Sequence, residues 1–513
     1  MAQFATYRHK SYDGGLKTSA SRRDIERNQA SVLENWDITY RGRLLSRKGL
    51  EQVGNTQASA INSGGVYTRK NGTRYLLINT GTKVKYLDGS TFSDVGTSAT
   101  ITTAERMSYA NVIYEDKIYM SSENNGLLCW NAGAGGLSAI ASSISGNVIL
   151  WYQNHLFHLN AVNVSGTKYY NDIFWSDFGD PETYTAPTTN RIPLPGEGRA
   201  ITANALGNKM VIFKENSYMF LAGYGATSWT IDADSSPIEN VDSSIGCIAP
   251  KGTVRVGANE LWFMDNQGYV RRITQTSFGY TSQVMSDNLD PNDLNLSNID
   301  LTVAAFDNDK VYFAVPSSSS STLDTVWVYD MKAASRSNDE AWTTYTGWEV
   351  ADLLSFGESP VLHVIGSTSK KVYSHTGGDD DGTAVDCRWD GKNDDYDQPE
   401  RYKKYAYGYI YSQAQGNETV SVYSSIDGAS FSKLKDFDLN SEGTPLGPTG
   451  LAKMGPTGSF ILGGNSDLEE KYYFADGGGS ITGKTNIMSI RASVSSQVYV
   501  DTFTNHFVVR SLK

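Results

Sequence analysis

Short runs of alternating apolar and polar residues dominate the chain from about residue 66 onward. Alternation with a period of two is typical of β-strands that have one buried face. A polar turn followed by an apolar strand recurs seven times, and several copies continue into a second turn and strand. The seven copies begin about 40 residues apart early in the chain and about 50 apart later, at 72–78, 116–120, 154–159, 208–213, 259–264, 309–314 and 360–365.

A period of 40–50 residues built from antiparallel strands is the signature of a β-propeller, in which each unit forms part of a four-stranded blade. Seven hairpins predict six or seven blades, because one hairpin can close the ring or belong elsewhere. The blades are degenerate, since they carry no repeated Trp-Asp or kelch dipeptide. A long β-sandwich or an irregular body of several sheets is the alternative.

The two ends of the chain have a different pattern. Near the N-terminus, Ser21 followed by an acid at Asp24 predicts a short helix from about Asp24 to Ala30. Gly42 lies between two extended runs and predicts a hairpin turn. After the Gly- and Asp-rich stretch 377–400, about 110 residues of alternating strands predict a β-sandwich, with a long loop at 443–466.

These patterns predict an all-β protein with three parts. Residues 1–50 form an N-terminal arm, residues 51–385 form the propeller, and residues 386–513 form a β-sandwich-like domain. The composition agrees with this: charged residues make up 19%, while 49 Gly and 31 Tyr are typical of strands and turns. Coiled coils, helical repeats and disordered tails are excluded on the same grounds.

Charge is unevenly distributed along the chain. The net charge is −12, which disfavours a simple nucleic-acid clamp. Residues 1–50 hold ten Lys/Arg against five Asp/Glu, so the arm carries +5 and the remaining chain −17. A basic arm on an acidic body indicates either a tether to an acidic partner or nucleic acid, or a solvated loop with a chance excess of basic residues.

Neither cysteines nor targeting signals add a function. Cys129, Cys247 and Cys387 lie more than 100 positions apart, so we expect no disulfide framework and no zinc site. The first residues lack the apolar stretch of a signal peptide, and no run of about 18 apolar residues predicts a membrane span. The sequence indicates a protein made in a reducing cytoplasm, or assembled there into a larger object.

One segment matches a nucleotide-binding pattern letter by letter. Residues 478–485 read Gly-Gly-Ser-Ile-Thr-Gly-Lys-Thr, which fits the Walker A loop. That loop requires a helix after it, whereas 486–491 alternates like a strand. We therefore expect a Gly-rich hairpin connection and no nucleotide cofactor.

Four other polar groups are possible sites, and each has a simpler structural explanation. Asp379–Asp381 with Asp390, Asp394, Asp395 and Asp397 could gather calcium but match no EF-hand spacing, so solvated acids are expected. His155 and His158 are three apart on a strand and face opposite sides. Residues 425–431 are similar to the Asp-box turn of sialidase-type propellers but one residue short. The acids of the loop at 175–182, Asp177, Asp180 and Glu182, could act as a glycosidase pair but fit turn positions better.

Several segments resemble the tail nozzle, or packaged-DNA stabilisation, proteins of short-tailed bacteriophages. In place of the Arg-Pro-Gly that the family often has, this chain has Arg47-Lys48-Gly49. The remaining segments that carry the resemblance are 14–19, 28–30, 35–37, 41–44, 173–176, 179–181, 211–217, 246–250 and 425–431.

The resemblance implies a structural virion protein and no enzymatic activity, metal or cofactor. Six copies would form a ring in the phage tail, below the portal and the adaptor, with tail fibre or spike proteins as further partners. The channel of that ring would retain packaged DNA, with transient and non-specific contacts, and let it pass on infection. The acidic body suits this role, because it would not grip DNA. Assembly would take place in the host cytoplasm, without membrane insertion.

The basic arm is the predicted site of assembly contacts with the adaptor or a neighbouring subunit. Two other functions remain open: a receptor-binding tail protein whose aromatic loops bind host glycan, and a polysaccharide-degrading propeller enzyme that uses acids such as Asp177 and Asp180. The candidate assembly residues are Arg22, Arg23, Arg27, Trp36, Arg41, Arg43, Arg47 and Lys48.

Overall fold

The computed structural model describes most of the chain from residue 5 to residue 510. Within that span, the description leaves out residues 97–98, 100, 134, 141–143, 164–165, 186–189, 226–227, 230–235, 243, 338, 415–417, 440–467 and 476–479. The loop predicted at 443–466 therefore lies outside the described residues.

The first 53 residues contribute seven short strands. They are β1 (Ala5–Arg8), β2 (Gly15–Leu16), β3 (Gln29–Ala30), β4 (Val32–Glu34), β5 (Trp36–Ile38), β6 (Leu44–Ser46) and β7 (Gly49–Val53).

The next part of the chain forms sheets of four antiparallel strands. Five sheets each use four consecutive strands. They are β8 (Ile61–Thr68) with β9 (Arg74–Thr80), β10 (Lys83–Asp88) and β11 (Thr91–Asp94); β12 (Ser108–Val112) with β13 (Lys117–Ser122), β14 (Gly126–Trp130) and β15 (Ser138–Ala139); β16 (Ile144–Tyr152) with β17 (His155–Asn163), β18 (Lys168–Trp175) and β19 (Arg191–Pro193); β20 (Ala200–Leu206) with β21 (Lys209–Lys214), β22 (Tyr218–Leu221) and β23 (Ile238–Asp242); and β24 (Thr253–Val256) with β25 (Glu260–Met264), β26 (Val270–Thr276) and β27 (Gly279–Val284).

Two further sheets complete the ring. The sixth contains β28 (Val303–Asp307), β29 (Lys310–Val315), β30 (Leu323–Asp330) and β31 (Trp342–Val350), with helix α1 (Met331–Ser337) between the last two strands. The seventh contains β32 (Asp352–Phe356), β33 (Val361–Ile365) and β34 (Val372–Gly377), and its outer strand is β7 from the N-terminal segment.

The seven sheets are the blades of a closed β-propeller. The first strand of each blade contacts the first strand of the next, from β8 through β12, β16, β20, β24 and β28 to β32, and β32 in turn contacts β8. Pairing of β7 with β34 joins the two ends of the propeller. The predicted all-β propeller of six or seven blades is thus confirmed, with seven blades.

Blade packing explains the apolar runs seen in the sequence. Met210–Phe213 in β21 are fully buried, because a neighbouring blade covers each face of the sheet. At the hairpin of β28 and β29, Asn308 and Asp309 have φ angles of 47° and 62°. Two such left-handed residues form the turn that suits the twist of a hairpin, and Asn and Asp tolerate it better than most residues.

The remaining strands form two packed sheets beside the sixth blade. One sheet extends that blade through β4, and the other contains the long strands β36 and β42. Their inner faces share a core in which the rings of Trp389 and Phe503 lie 5.7 Å apart. The strands of this β-sandwich are β35 (Val385–Asp390), β36 (Lys403–Ala414), β37 (Glu418–Ile426), β38 (Ser432–Leu439), β39 (Leu468–Tyr473), β40 (Ile481–Gly483), β41 (Asn486–Val494) and β42 (Val498–Val509).

The N-terminal segment is part of both sheets of the sandwich. β4 pairs with β31 and β35, whereas β5, β6 and β1 belong to the sheet of β42. The hairpin predicted at Gly42 joins β5 and β6, and Gly42 adopts a φ of 72°. In this structure, residues 5–53 therefore connect the propeller with the sandwich.

The helix predicted from Asp24 to Ala30 is wrong. The Ser21 hydroxyl donates to the Asp24 carboxylate, and the segment forms turns that lead into β3. Ile25 is fully buried, and Arg27 donates to Asp394. Seven residues are too few to hold a helix against such tertiary contacts. Among the described residues, no helix is long and apolar enough to cross a membrane.

Candidate functional site

Four of the eight predicted assembly residues meet acidic partners within their own chain. Arg27 binds Asp394 and Asp397, and these hydrogen bonds and charges raise the pKa of its guanidinium. Arg43 lies 2.7 Å from Asp501. The acids between residues 380 and 397 lie beside the N-terminal segment, so they neutralise part of the positive charge of that segment. Arg22 likewise lies 3.9 Å from Asp390.

Two of the eight residues are core residues. Trp36 is fully buried in the sandwich, and the Arg47 side chain is 1% exposed. They cannot contact another molecule without unfolding, so the prediction of an assembly contact is wrong for both. Arg23, Arg41 and Lys48 are exposed.

Arg47 joins three parts of the fold. Its guanidinium donates to both carboxylate oxygens of Asp380, at 2.9 and 2.6 Å, and to the Asn35 side chain at 2.8 Å. It also donates to the Thr346 carbonyl and lies 5.0 Å from the centre of the Trp348 ring. Asp380, one of the acids of the Asp-rich stretch, therefore forms a bidentate ion pair with Arg47.

The propeller channel contains a polar network that the sequence did not reveal. Asp352, at the start of β32, accepts hydrogen bonds from the Lys251 ammonium and from the Gly64 N–H. The same ammonium lies 5.7 Å from the centre of the Tyr109 ring. Burial lowers the pKa of Lys251, and the charge of Asp352 opposes this. The network links the first, second, fifth and seventh blades.

Arg106 makes further contacts between blades at the same end of the channel. It precedes β12 in the second blade and donates to the carbonyls of Leu301 and Ala351, which precede the first strands of the sixth and seventh blades. Burial lowers the pKa of Arg106. Because its side chain reaches from the second blade to the sixth and seventh, it lies across the channel of a single propeller.

A cavity of about 280 Å³ lies at this end of the channel. Its lining includes the acids Glu105, Glu123 and Asp300 and the bases Arg106 and Lys251. Glu105 accepts hydrogen bonds from Asn124 and Asn125, and Glu123 from Lys168, so both carboxylates are held in fixed positions. The cavity is large enough for a small polar molecule.

The first strand of each blade is the innermost one, and it begins at the end of the propeller that carries Arg106 and the cavity. We call this end the upper face and the opposite end, where the first strands finish, the lower face. Because successive strands of a blade are antiparallel, the lower face also carries the connections between the third and fourth strands. Large aromatic side chains are exposed there. Tyr114 is 45% exposed, Phe178 71%, Tyr224 72% and Phe278 fully exposed.

The exposed ring of Phe178 is held in place by its surroundings. The Tyr114 hydroxyl donates to the Gly179 carbonyl, and the Gly179 N–H donates to the Asn154 carbonyl at 2.7 Å. The Phe178 ring lies 5.5 Å from that of His155. Exposed apolar side chains in a rigid setting are typical of protein–protein contact sites.

The carboxylates near Phe178 have structural partners. Asp177 accepts hydrogen bonds from Thr185 and bridges to Asp180 across a tight turn. Glu182 accepts from the Tyr119 hydroxyl at 2.9 Å and from the Lys117 ammonium. The turn positions expected for Asp177 and Asp180 agree with this geometry.

The other sequence motifs also have structural explanations. Asp427 and Gly428 form the turn between β37 and β38, and the Asp427 carboxylate accepts the N–H groups of Lys484 and Thr485. A strand, β41, follows the Walker-like segment, as expected, although its residues 478–479 lie outside the described part. Among the described residues, no cluster of His, Cys, Asp or Glu could hold a metal ion.

His155 and His158 point to different partners, as their spacing predicts. His155 Nδ1 bonds to the Ser176 carbonyl, and His158 Nε2 shares a hydrogen bond with the Tyr184 hydroxyl. Burial lowers the pKa of His158 to about 3, and it does the same for His9 in the sandwich. Both residues are almost fully buried.

Acid should destabilise the protein through His9 and His158. The unfolded chain takes up protons below a pKa of about 6.5, whereas the folded chain does so only near 3. The contribution of the two neutral, buried histidines to folding stability is complete above pH 6.5. It is lost as the pH falls towards 3, by about 1.4 kcal/mol per pH unit for each histidine. Urea unfolding measured from pH 7 to pH 4 tests this, and His158→Gln should reduce the slope. An equal slope in the variant would contradict the assignment.

Comparisons with known proteins find only distant structural similarity. No protein-family model matches the chain, and no curated protein matches it. Among solved structures, the extracellular domain of the putative hybrid two-component system BT3049 from B. thetaiotaomicron is 11% identical with a TM-score of 0.43, covering 77% of this chain and 50% of that one. YCF48 from Cyanidioschyzon merolae is 12% identical with a TM-score of 0.38, covering 64% and 98%. The chain thus spans half the length of the first of these proteins.

Proposed function

We propose that this protein is a structural, non-enzymatic component of a bacteriophage tail, where several copies assemble into a nozzle ring through which DNA leaves the head. The main support is the rigid, exposed aromatic surface on the lower face of the propeller, around Tyr114 and Phe178. Neighbouring exposed aromatic side chains held in fixed positions form the kind of apolar surface that an assembling subunit buries. The sequence resemblance to tail nozzle proteins supplies the setting.

The obstructed propeller channel limits where DNA could pass. Arg106 joins the second blade to the sixth and seventh, and Lys251 joins the fifth to the seventh, so a nozzle would have to place DNA in a passage between subunits. The negative net charge suits such a passage, because phosphates would not be held at its wall. On this proposal, retention of packaged DNA depends on the ring and its fit to the portal and adaptor.

Electron microscopy of the purified protein would test the proposal, alone and with portal–adaptor complexes that lack the tail. We expect six-fold rings with a central passage, either in solution or on the complexes. Particles that remain monomeric in both preparations would contradict it. Deletion of residues 1–50 is a poor test, because it removes strands from both sheets of the sandwich.

Glycan binding is a second candidate function, and one observation favours it. On the lower face of the fourth and fifth blades, the Asn208 amide donates to the hydroxyl of the exposed Tyr224 and accepts from that of Tyr280. Aromatic rings beside an amide are typical of sugar-binding surfaces. Binding of the isolated protein to host cells, and its loss in Tyr224→Ala, would favour this function over the ring.

A further inference from the structure

Two groups of side chains on the lower face carry opposite charge. We call the group around Phe178 the aromatic-acidic surface; it consists of Tyr114, Glu115, Phe178, Asp180 and Glu182. The second group is the basic tip, which consists of Lys10, Tyr40, Arg41 and Arg336.

The aromatic-acidic surface combines an apolar centre with negative charge. Phe178 projects from it, and the three carboxylates lie on the same turn and loop. The Tyr119 hydroxyl donates to both Glu115 and Glu182, and the Glu182 N–H donates to Asp180. The Lys117 ammonium pairs with Glu182 and Glu115, which raises its pKa although burial opposes the shift. Three carboxylates against one ammonium leave this surface acidic.

The basic tip has the complementary character. Tyr40 is 67% exposed at the hairpin between β5 and β6, and Arg41 beside it is exposed. Arg336 of α1 donates to the Tyr40 carbonyl at 2.5 Å and lies 5.9 Å from the centre of its ring. Lys10, on the segment packed against Gly42, is also exposed.

In the described part of the chain, no carboxylate pairs with Arg41 or Arg336. This separates them from the neighbouring basic residues Arg27, Arg43 and Arg47, which all have acidic partners. An exposed aromatic ring flanked by unpaired guanidinium groups is typical of a contact site for an acidic, aromatic partner.

The positions of the two groups suit contact between copies of the same chain. The aromatic-acidic surface lies on the second and third blades, at the turn after β12 and in the loop after β18. The basic tip lies at the sixth blade, because α1 follows β30 at its lower end. In a ring of seven blades these positions are nearly opposite. Different surfaces on opposite sides of a subunit produce head-to-tail contacts, which close into a ring when the rotation allows it.

We propose that the basic tip of one copy docks on the aromatic-acidic surface of the next, with Arg41 and Arg336 facing the carboxylates and Tyr40 packing against Phe178. This inference rests on the proposed ring and identifies the contact that builds it. The occupant is a second copy of this chain.

Two single variants and their mixture test this contact. Phe178→Ala damages the aromatic-acidic surface and leaves the basic tip intact, whereas Arg41→Glu does the reverse. Each variant alone should associate at least about 10-fold more weakly than the unchanged protein, as expected for a central contact residue. Mixed in equal amounts, they should form dimers and nothing larger, because each dimer has one intact contact and two damaged ends. Mass photometry or sedimentation distinguishes these species.

Matched controls lie elsewhere on the same fold. Phe278→Ala removes a fully exposed ring from the fifth blade, and Arg255→Glu reverses an exposed charge in β24. Both should assemble like the unchanged protein, and far-ultraviolet circular dichroism should confirm that all variants are folded.

Different results separate this contact from the wider proposal. Rings of normal size from Phe178→Ala and Arg41→Glu would overturn the contact and leave the nozzle proposal standing. A mixture that stays monomeric, or single variants that dimerise on their own, would also overturn it. An unchanged protein that never assembles, alone or on portal–adaptor complexes, would overturn the nozzle proposal itself.

Discussion

Replacement of Arg47 by alanine should destabilise the protein by about 3–5 kcal/mol, the range found when one partner of a buried ion pair is removed. The Arg47 side chain is 1% exposed and donates to Asp380, Asn35 and the Thr346 carbonyl. Without it, the Asp380 carboxylate keeps only the Leu50 N–H among the partners described here. The ring of Trp348 would also lose the cation that lies over it.

The stability of Arg47→Lys should lie between that of the alanine variant and that of the unchanged protein. A lysine keeps the charge but cannot donate to both oxygens of Asp380 and to Asn35 at the same time. Lys48→Ala is the matched control, because its side chain is exposed, and we expect a change within about 0.5 kcal/mol. Urea unfolding followed by tryptophan fluorescence measures all three. An Arg47→Ala midpoint equal to that of Lys48→Ala would contradict the role of Arg47.

The propeller could be predicted from the sequence because its signal is local. Turn residues such as Asp309 and the apolar strands after them specify hairpins without reference to the rest of the chain. The number of blades was harder to predict, because the seventh blade takes its outer strand, β7, from residues more than 300 positions away. No pattern around Gly49–Val53 indicates that partner.

The structure of the N-terminal segment could not be predicted in this way, because its charged residues pair with distant parts of the chain. Its charges predicted an arm that reaches outwards, yet Arg27 and Arg47 reach Asp394 and Asp380, more than 300 residues along the chain. Net charge describes composition, whereas pairing depends on which segments the fold brings together. Arg41 keeps the predicted exposed position, because it lies at the end of a hairpin.

The channel network could not be predicted for the same reason. Lys251 follows Pro250 in a connection between blades, and Asp352 begins a strand, so each looks like an ordinary surface position. Only the closure of the ring places them together on its axis. A propeller brings the starts of all its inner strands to one place. That general rule was the one available indication that Lys251 and Asp352 would lie close together.

Loss of the Asp352 carboxylate is the second change for which we expect a large effect. Asp352→Ala should cost about 3–5 kcal/mol, because it leaves the Lys251 ammonium in a largely buried site without its partner. It also leaves the Gly64 N–H without its acceptor. Since Gly64 lies in the first blade and Asp352 in the seventh, the two blades that close the ring lose a direct hydrogen bond.

A double-mutant cycle separates the ion pair from the individual side chains. Lys251→Met alone should also destabilise, because Asp352 would keep its charge with only backbone donors. The double variant Lys251→Met/Asp352→Ala removes both charges, so it should be less destabilised than the sum of the single variants by about 1–3 kcal/mol. Simple additivity would mean that the pair contributes little.

Hydrogen exchange locates the effect within the fold. Asp352→Ala should speed exchange of the Gly64 amide and of neighbouring β8 amides, while amides of the sandwich keep their rates. Asp300→Ala is the matched control, because Asp300 is exposed on the rim of the same cavity. If the Gly64 and β8 amides exchange at the same rates in both variants, Asp352 does not hold the first blade. Faster exchange in Asp352→Ala alone would mean that the polar network on the axis, as well as the pairing of β7 with β34, keeps the propeller closed.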